Sequence, residues 1–241
     1  MLTYHKKFND WQQYANQSLS WFSTDSEKTF QYNLKNKYSL LEQNGYLDKN
    51  IEYKFNSHGF RCNEFTKEDS IIFLGCSITQ GVGVSNDETF AHTVANKLNL
   101  KCCNLGQQGK SSDTGFRILL NYIDKLNIKI LVTYFPMIHR FELLTDDTAI
   151  DFVLHKQYDD SYLNEYYKTY NSASENAYLN SLKNILAMRQ LCNERFIKFI
   201  DVSNDRLDAG LDSNSPELAR DLSHPGPFGH QCRHKLILDK I

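Results

Sequence analysis

The feature that most constrains this chain is a short run, Ile71-Ile72-Phe73-Leu74, apolar at every position and closed by Gly75. A strand with one face in water alternates apolar and polar residues. A run with no polar alternation belongs to a strand buried on both faces, as in a parallel sheet covered by helices. Three more strands are expected at Lys101–Leu105, Ile128–Phe135 and Ile197–Val202. Between them apolar residues return at helical spacing: Phe90, Ala91, Val94, Ala95 and Leu98, then Phe116, Leu119, Leu120, Ile123 and Leu126. A third helix, Ser174–Cys192, carries Leu179, Leu182, Ile185 and Leu186 on one stripe, and a last one from Pro227 uses Phe228, Cys232, Leu236 and Ile237. Asn86 or Asp87 and Asp113 are the expected caps of the first two helices. Strands alternating with helices imply βαβ units. The expected fold class is therefore α/β, a three-layer α/β/α arrangement with a mainly parallel, flavodoxin-like sheet.

The organisation follows from where this pattern starts. Residues 69–241 form the main domain, and residues 1–68, rich in aromatics with weak periodicity, form an N-terminal extension packed on it. Trp11, Tyr14, Leu19 and Phe22 are placed on a helix there, Tyr53 and Phe55 on a strand, and Ser57-His58-Gly59 in a turn. An acidic, Tyr-rich insertion at about 141–172 is read as irregular. No stretch approaches the roughly 18 apolar residues of a membrane span. The start, MLTYHKKFNDWQQY, has no apolar core of a secretion signal, so a cytoplasmic location is expected. With 27 basic against 29 acidic residues the net charge is −2, and no basic excess is present to neutralise nucleic-acid phosphates. The six cysteines form no C-x-x-C pair and are read as reduced thiols. His224, His230 and His234 raise a zinc site, but no Glu stands between the last two as H-E-x-x-H requires, so neither metal nor organic cofactor is expected.

In parallel sheets functional groups collect beyond the carboxyl ends of the strands. After the first strand comes Gly75-Cys76-Ser77-Ile78-Thr79-Gln80-Gly81-Val82-Gly83. It is neither the G-x-S-x-G elbow nor a phosphate-binding P-loop nor a dinucleotide fingerprint. Ser77 stands at a strand-to-helix turn, either as a nucleophile with free N–H groups beside it or as a turn serine. Cys76 is a rival nucleophile whose side chain should alternate away into the core. After the second strand, Asn104-Leu-Gly-Gln-Gln-Gly109 offers glycines that either let a ligand approach the backbone or merely form a turn. Near the C-terminus, Asp221-Leu-Ser-His224-Pro225 places a carboxylate three residues before an imidazole held in a loop by Pro225. This is either an oriented base or a capped turn with a solvent histidine. His230 is a rival base with no Asp three residues upstream.

Together these segments resemble the SGNH (GDSL-like) hydrolase family over about residues 71–241. Members often carry Gly-x-Ser-x-Thr-x-Gly, which here is Gly75-Cys76-Ser77-Ile78-Thr79-Gln80-Gly81. The stretch Asn56-Ser-His-Gly59-Phe60-Arg61 is similar to one found just upstream of the domain in some members. The resemblance implies Ser77 as nucleophile, His224 and Asp221 as the rest of a triad, and an oxyanion hole formed by the N–H groups of Ser77 and Gly109. It implies a serine esterase or deacylase that needs no cofactor and acts on a small ester or acylated carbohydrate such as a sugar O-acetyl. Acyl transfer to a sugar hydroxyl, or a non-catalytic interaction or assembly module on a hydrolase scaffold, are the alternatives. One block departs from the family. After the third strand, Thr133-Tyr-Phe-Pro-Met-Ile-His139-Arg140 lacks the usual Asn. His139 or Arg140 either replaces it or pairs with the acidic 142–151 stretch. Tyr158, Tyr162, Tyr166 and Tyr167 either stack on sugar rings or pack the insertion onto the domain.

Overall fold

In the computed structural model, which describes residues 9–146, 148–153, 159–172, 174–203 and 217–241, short elements come first. A 3-10 turn, Asp10–Tyr14, leads to strand β1 (Ser18–Leu19), helices α1 (Glu27–Asn36) and α2 (Tyr38–Gln43), and strand β2 (Tyr53–Lys54), antiparallel to β1. The expected helix through Trp11, Tyr14, Leu19 and Phe22 is absent. Trp11 and Tyr14 lie in the 3-10 turn, Leu19 in β1 and Phe22 in an isolated bridge to Asp25; Trp11 packs beside Phe60 in the main core, whereas Tyr14, Leu19 and Phe22 join a separate cluster. Met1 to Phe8, the first part of the start read above, lie outside the described residues.

The sheet follows: β3 (Asp69–Gly75), β4 (Lys101–Asn104), β5 (Asn127–Tyr134) and, later in the chain, β8 (Lys198–Asp201). Between and after them come α3 (Ser77–Gln80), α4 (Phe90–Lys97), α5 (Ser112–Tyr122), the hairpin β6 (Phe141–Leu144) and β7 (Ala149–Phe152), α6 (Ser161–Ser172), α7 (Ser174–Asn193) and α8 (Pro227–Leu238). The four sheet strands are all parallel, in the order β4-β3-β5-β8. The continuous apolar run of β3 resolves into two faces. Ile72 and Leu74 pack with Ile118, Leu119, Met188 and Cys192 of α5 and α7, whereas Ile71 and Phe73 pack with Phe90, Val94 and Ile237 of α4 and α8. This makes the fold a helix–sheet–helix sandwich of the flavodoxin-like type. Cys103 faces the first layer and Cys102 the second, and all six cysteines are free thiols.

Three local expectations shift. Thr89, not Asn86 or Asp87, caps α4, its Oγ1 accepting the His92 N–H at 3.2 Å, because Ser85 and Glu88 close a separate 3-10 turn over Asn86–Glu88. Asp113 sits inside the first turn of α5, where it accepts from Asn180 and Asn184 of α7 and from the Glu142 N–H of β6. The insertion is not irregular: the β6–β7 hairpin and α6 close on a stack of Phe141, Phe152, Tyr167 and Tyr170, the first two rings 4.4 Å apart. Tyr167 thus packs the insertion, Tyr162 is exposed, and Tyr158 lies outside the described residues.

Residues 14–55 build an aromatic cluster of Phe22, Leu41, Tyr46, Ile51, Tyr53 and Phe55 against Val82 and Leu222 of the main layers. Inside it, Arg220 forks onto Asp25, with both side chains at most 3% exposed and the closest N···O distance 2.8 Å. Arg220 also donates to the Ser20 carbonyl, and Tyr53 donates to Asp25. Removing one member of a buried ion pair leaves the other charge uncompensated. Asp25→Ala is therefore expected to lower the unfolding free energy by about 3–5 kcal/mol, measured by urea denaturation at neutral pH.

Candidate active site

In this strand order the chain leaves β3, goes to one side for β4, and crosses to the other for β5, which puts the topological switch point at the carboxyl end of β3. Ser77 lies there, one residue past extended Cys76, as the first residue of α3. Because α3 begins at Ser77, its first N–H groups have no partner within the helix. The α3 C-terminus is held by Arg61, whose guanidinium donates to the carbonyls of Gln80, Gly81, Val84 and Glu52 and lies 4.3 Å from the Tyr53 ring. This gives the upstream Asn56–Arg61 stretch its place: it clamps the loop that follows Ser77. Burial draws the Arg61 guanidinium pKa down to about 10.

The turn after β4 presses on the same helix. Asn104 donates to the Thr79 carbonyl at 2.7 Å and accepts the Gly106 N–H at 3.1 Å. A Cβ on Gly106 would stand 2.7 Å from the Gln80 nitrogen, so only glycine allows this approach. The Gln108 N–H donates to Gln80 Oε1 at 2.9 Å. Gly109 then takes a left-handed φ of +71°, with Val153 Cγ2 4.0 Å from where a Cβ would lie. Among the described residues neither the Ser77 nor the Gly109 N–H donates to a protein acceptor. A cleft of about 380 Å³ reaches Gly109 and is walled by Trp11, Tyr14, Phe22, Gln107 and Lys110. The larger grooves, of about 620, 470 and 430 Å³, touch none of Ser77, Gly109, Asp221 or His224.

The third segment comes over from the start of α8. His224 Nε2 is 2.8 Å from Ser77 Oγ, and His224 Nδ1 is 2.6 Å from Asp221 Oδ2. A carboxylate only accepts, so Nδ1 carries the proton and Nε2 faces the hydroxyl as acceptor. The turn from Asp221 to His224 places Leu222 at φ +54°, a left-handed conformation costing a leucine about 1 kcal/mol. Asp221 Oδ1 holds that turn by accepting the N–H groups of Ser223 and His224, at 3.0 and 3.1 Å. On Oδ2, Thr24 and Ser223 hydroxyls donate at 2.6 and 2.7 Å. Burial alone would push this carboxyl up. The hydrogen bond and charge of His224, with the Thr24 and Ser223 hydroxyls, outweigh burial and hold it well below the usual carboxylate range.

The rival residues go elsewhere. Cys76 is buried in the apolar cluster with Ile78 and Phe90. His230 is buried in α8, accepts the Phe90 N–H at Nδ1 over 3.2 Å and stacks on the Phe90 ring, so it serves as a cap-like acceptor for α4. Its helix face therefore differs from the expected one: His230, Arg233 and Ile237 are buried, while Phe228 is 42% exposed. Arg233 donates to the Tyr134 hydroxyl at 2.8 Å, which is what makes a polar helix face fit the core. His234 Nδ1 stands 2.9 Å from Thr93 Oγ1 and so faces α4 rather than His224. Within the acidic 142–151 stretch, Glu142 pairs with Arg117 and Asp151 with Lys110. No contact joins His139 or Arg140 to Ser77 or Gly109 in the hydrogen bonds of the described residues. Sequence reasoning missed Thr24, Asn33, Asp25 and Arg61, which hold the site from far along the chain. Of these only Arg61 carried a local signal, its place in the Asn56–Arg61 stretch.

No protein-family model matches the chain, and no curated protein matches it. Among solved structures it is similar to a member of the lipolytic protein G-D-S-L family from Veillonella parvula, at 16% identity and a TM-score of 0.38, covering 71% of this chain and 97% of that one. It is similar to a carbohydrate esterase whose active site displays divergent catalytic and non-catalytic binding functions, at 13% identity and a TM-score of 0.43, covering 73% and 69%. It is also similar to an acetyl xylan esterase from the rumen bacterium Butyrivibrio proteoclasticus, at 13% identity and a TM-score of 0.41, covering 80% and 65%.

Burial, then the charges of Arg233, Arg61 and His224, lower the His230 pKa to about 3. An unfolded-state histidine titrates near 6.5, so between these values the unfolded chain binds the extra proton and stability is lost as pH falls. His230→Asn keeps an acceptor near the Phe90 N–H but cannot take up that proton. Denaturation series between pH 6 and 4 are expected to show a wild-type stability slope steeper than that of His230→Asn by about 1.4 kcal/mol per pH unit.

Proposed function

We propose that this protein is a serine ester hydrolase in which Ser77 is the nucleophile, His224 the general base and Asp221 the residue that orients and charges the base. The observation that carries the reading is the unbroken chain of contacts from Ser77 Oγ through both imidazole nitrogens to a buried carboxylate, at 2.8 and 2.6 Å. In the proposed reaction His224 Nε2 takes the Ser77 proton as Oγ attacks the ester carbonyl. The negative charge that develops on the carbonyl oxygen meets the N–H groups of Ser77 and Gly109. The imidazolium then gives its proton to the departing alcohol, and water, deprotonated by the same ring, releases the acid from the acyl-enzyme. Asp221 stays ionised throughout, in keeping with its depressed pKa. The hole is assigned to backbone donors, since the Thr133–Arg140 stretch after β5 supplies no Asn. One such donor is worth about 10²–10³ in rate in a well-studied protease, so turnover is expected to be moderate.

The alcohol side of the ester is assigned to the cleft at Gly109. Its half-buried Tyr14 ring, backed by buried Trp11 and Phe22, can pack the apolar face of a sugar ring, and the Lys110 ammonium, held by Asp10 and Asp151, lines the same cleft. An O-acetylated carbohydrate is the substrate class we infer. Names of similar structures include esterases of acetylated polysaccharides.

Wild-type protein is expected to release acetate from both an aryl acetate and an acetylated oligosaccharide, and Ser77→Ala to lower both rates by at least about a thousandfold. Because the base must be neutral to accept the serine proton, kcat/KM is expected to fall on the acid side. Titration of acetate released across pH 4–9 checks both. Retained turnover in Ser77→Ala, or a rate flat into strong acid, contradicts the assignment.

A further inference from the structure

We propose that the N-terminal segment supplies a fourth member of the hydrolytic relay, Thr24, a positioning residue that acts through Asp221. The inference rests on the hydrolase reading of the same site.

The geometry is specific. Thr24 Oγ1 donates to Asp221 Oδ2 at 2.6 Å, onto the same oxygen that accepts from His224 Nδ1. Thr24 is 197 positions from Asp221 in the chain, so this contact exists only because the N-terminal segment folds over the histidine loop. A carboxylate can swing about its own side-chain torsions, and an oxygen shared by two loop donors alone, Ser223 and His224, would follow the loop wherever it moved. Thr24 refers that oxygen to an outside frame.

The frame is built around it. Asn33 Nδ2 donates to the Asp221 carbonyl at 3.3 Å, and Asn44 Oδ1 accepts the Leu218 N–H at 2.7 Å. Arg220, the neighbour of Asp221, forks onto Asp25, the neighbour of Thr24. Two adjacent residues of one segment thus grip two adjacent residues of the other, one pair by charge and one by a hydroxyl. From the main domain the loop receives the Arg220 N–H bond to the Gly83 carbonyl, at 2.9 Å. The loop therefore stands between two supports, and the N-terminal one alone reaches the carboxylate.

The chemical consequence lies in the transition state. As His224 becomes an imidazolium, its Nδ1–H must stay aligned with an anion whose second donor does not turn it away. Losing a hydrogen bond to a charged group that fixes this alignment is expected to slow the chemical step without changing how substrate is held. Among the described residues Thr24 makes no hydrogen bond to Ser77 and does not line the cleft at Gly109, so the effect is expected in kcat rather than KM.

The test compares Thr24→Val, which keeps the shape and removes the donor, with Thr24→Ser, which restores it. Kinetics use an aryl acetate. In parallel, the downfield proton resonance of the His224 Nδ1–H is followed by NMR, a signature that does not require turnover. Thr24→Val is expected to lower kcat about tenfold at unchanged KM and to shift or broaden the resonance, and Thr24→Ser to recover both. A Thr24→Val protein with kcat within twofold of wild type and an unmoved resonance overturns the proposal, as does an equal loss in Thr24→Ser. If wild-type protein shows no Ser77-dependent hydrolysis, the hydrolase reading fails separately, and the resonance alone decides whether Thr24 fixes the Asp221–His224 pair.

Discussion

The structure turns on one buried carboxylate. Asp221 is 4% exposed yet ionised, and an unpaired charge at that depth would be very costly. Five donors remove the cost: two N–H groups on Oδ1, and two hydroxyls with one imidazole on Oδ2. A carboxylate offers about four lone-pair sites, so this one is saturated. Saturation has two effects. It keeps the group anionic, and it leaves the oxygens no freedom to choose other partners. The left-handed Leu222 shows that the backbone accepts local strain to reach this arrangement.

From that carboxylate the remaining architecture follows. The histidine loop can meet Ser77 because β3 lies inside the sheet at the point where the strand order reverses, which opens a crevice at its carboxyl end. The short α3 presents Ser77 with free N–H groups, and the glycine at position 106 lets the next turn close against it. Arg61 locks the far end of α3 by donating to four carbonyls, so Ser77 is held from the N-terminal side of the chain just as Asp221 is. The aromatic cluster of residues 14–55 is what makes both supports rigid.

The parallel sheet was legible because β3 buries both faces, a property written into four consecutive apolar residues. Local spacing at Asp221, His224 and Pro225 left a capped turn as open as an oriented base, and only the family resemblance joined them to Ser77 as an expectation. What escaped was of three kinds. Contacts such as Thr24 with Asp221 and Asp25 with Arg220 join residues about two hundred positions apart, and no periodicity encodes them. The buried face of α8 combines expected Ile237 with polar His230 and Arg233, which meet the Phe90 N–H and the Tyr134 hydroxyl, so apolar periodicity gave Ile237 but also exposed Phe228 and no hint of the two polar residues. The β6–β7 hairpin lacks the Gly turn that usually announces one, and its register is set by the stacking of Phe141 on Phe152.

The most direct test of the central claim is covalent. Native protein is treated with a serine-reactive alkyl phosphonate at neutral pH, digested, and its peptides are mapped by mass spectrometry. A single stoichiometric adduct on Ser77, lost in His224→Ala, is the outcome expected of a hydroxyl activated by that imidazole. An unlabelled Ser77 in folded protein, or labelling that ignores the loss of His224, contradicts it.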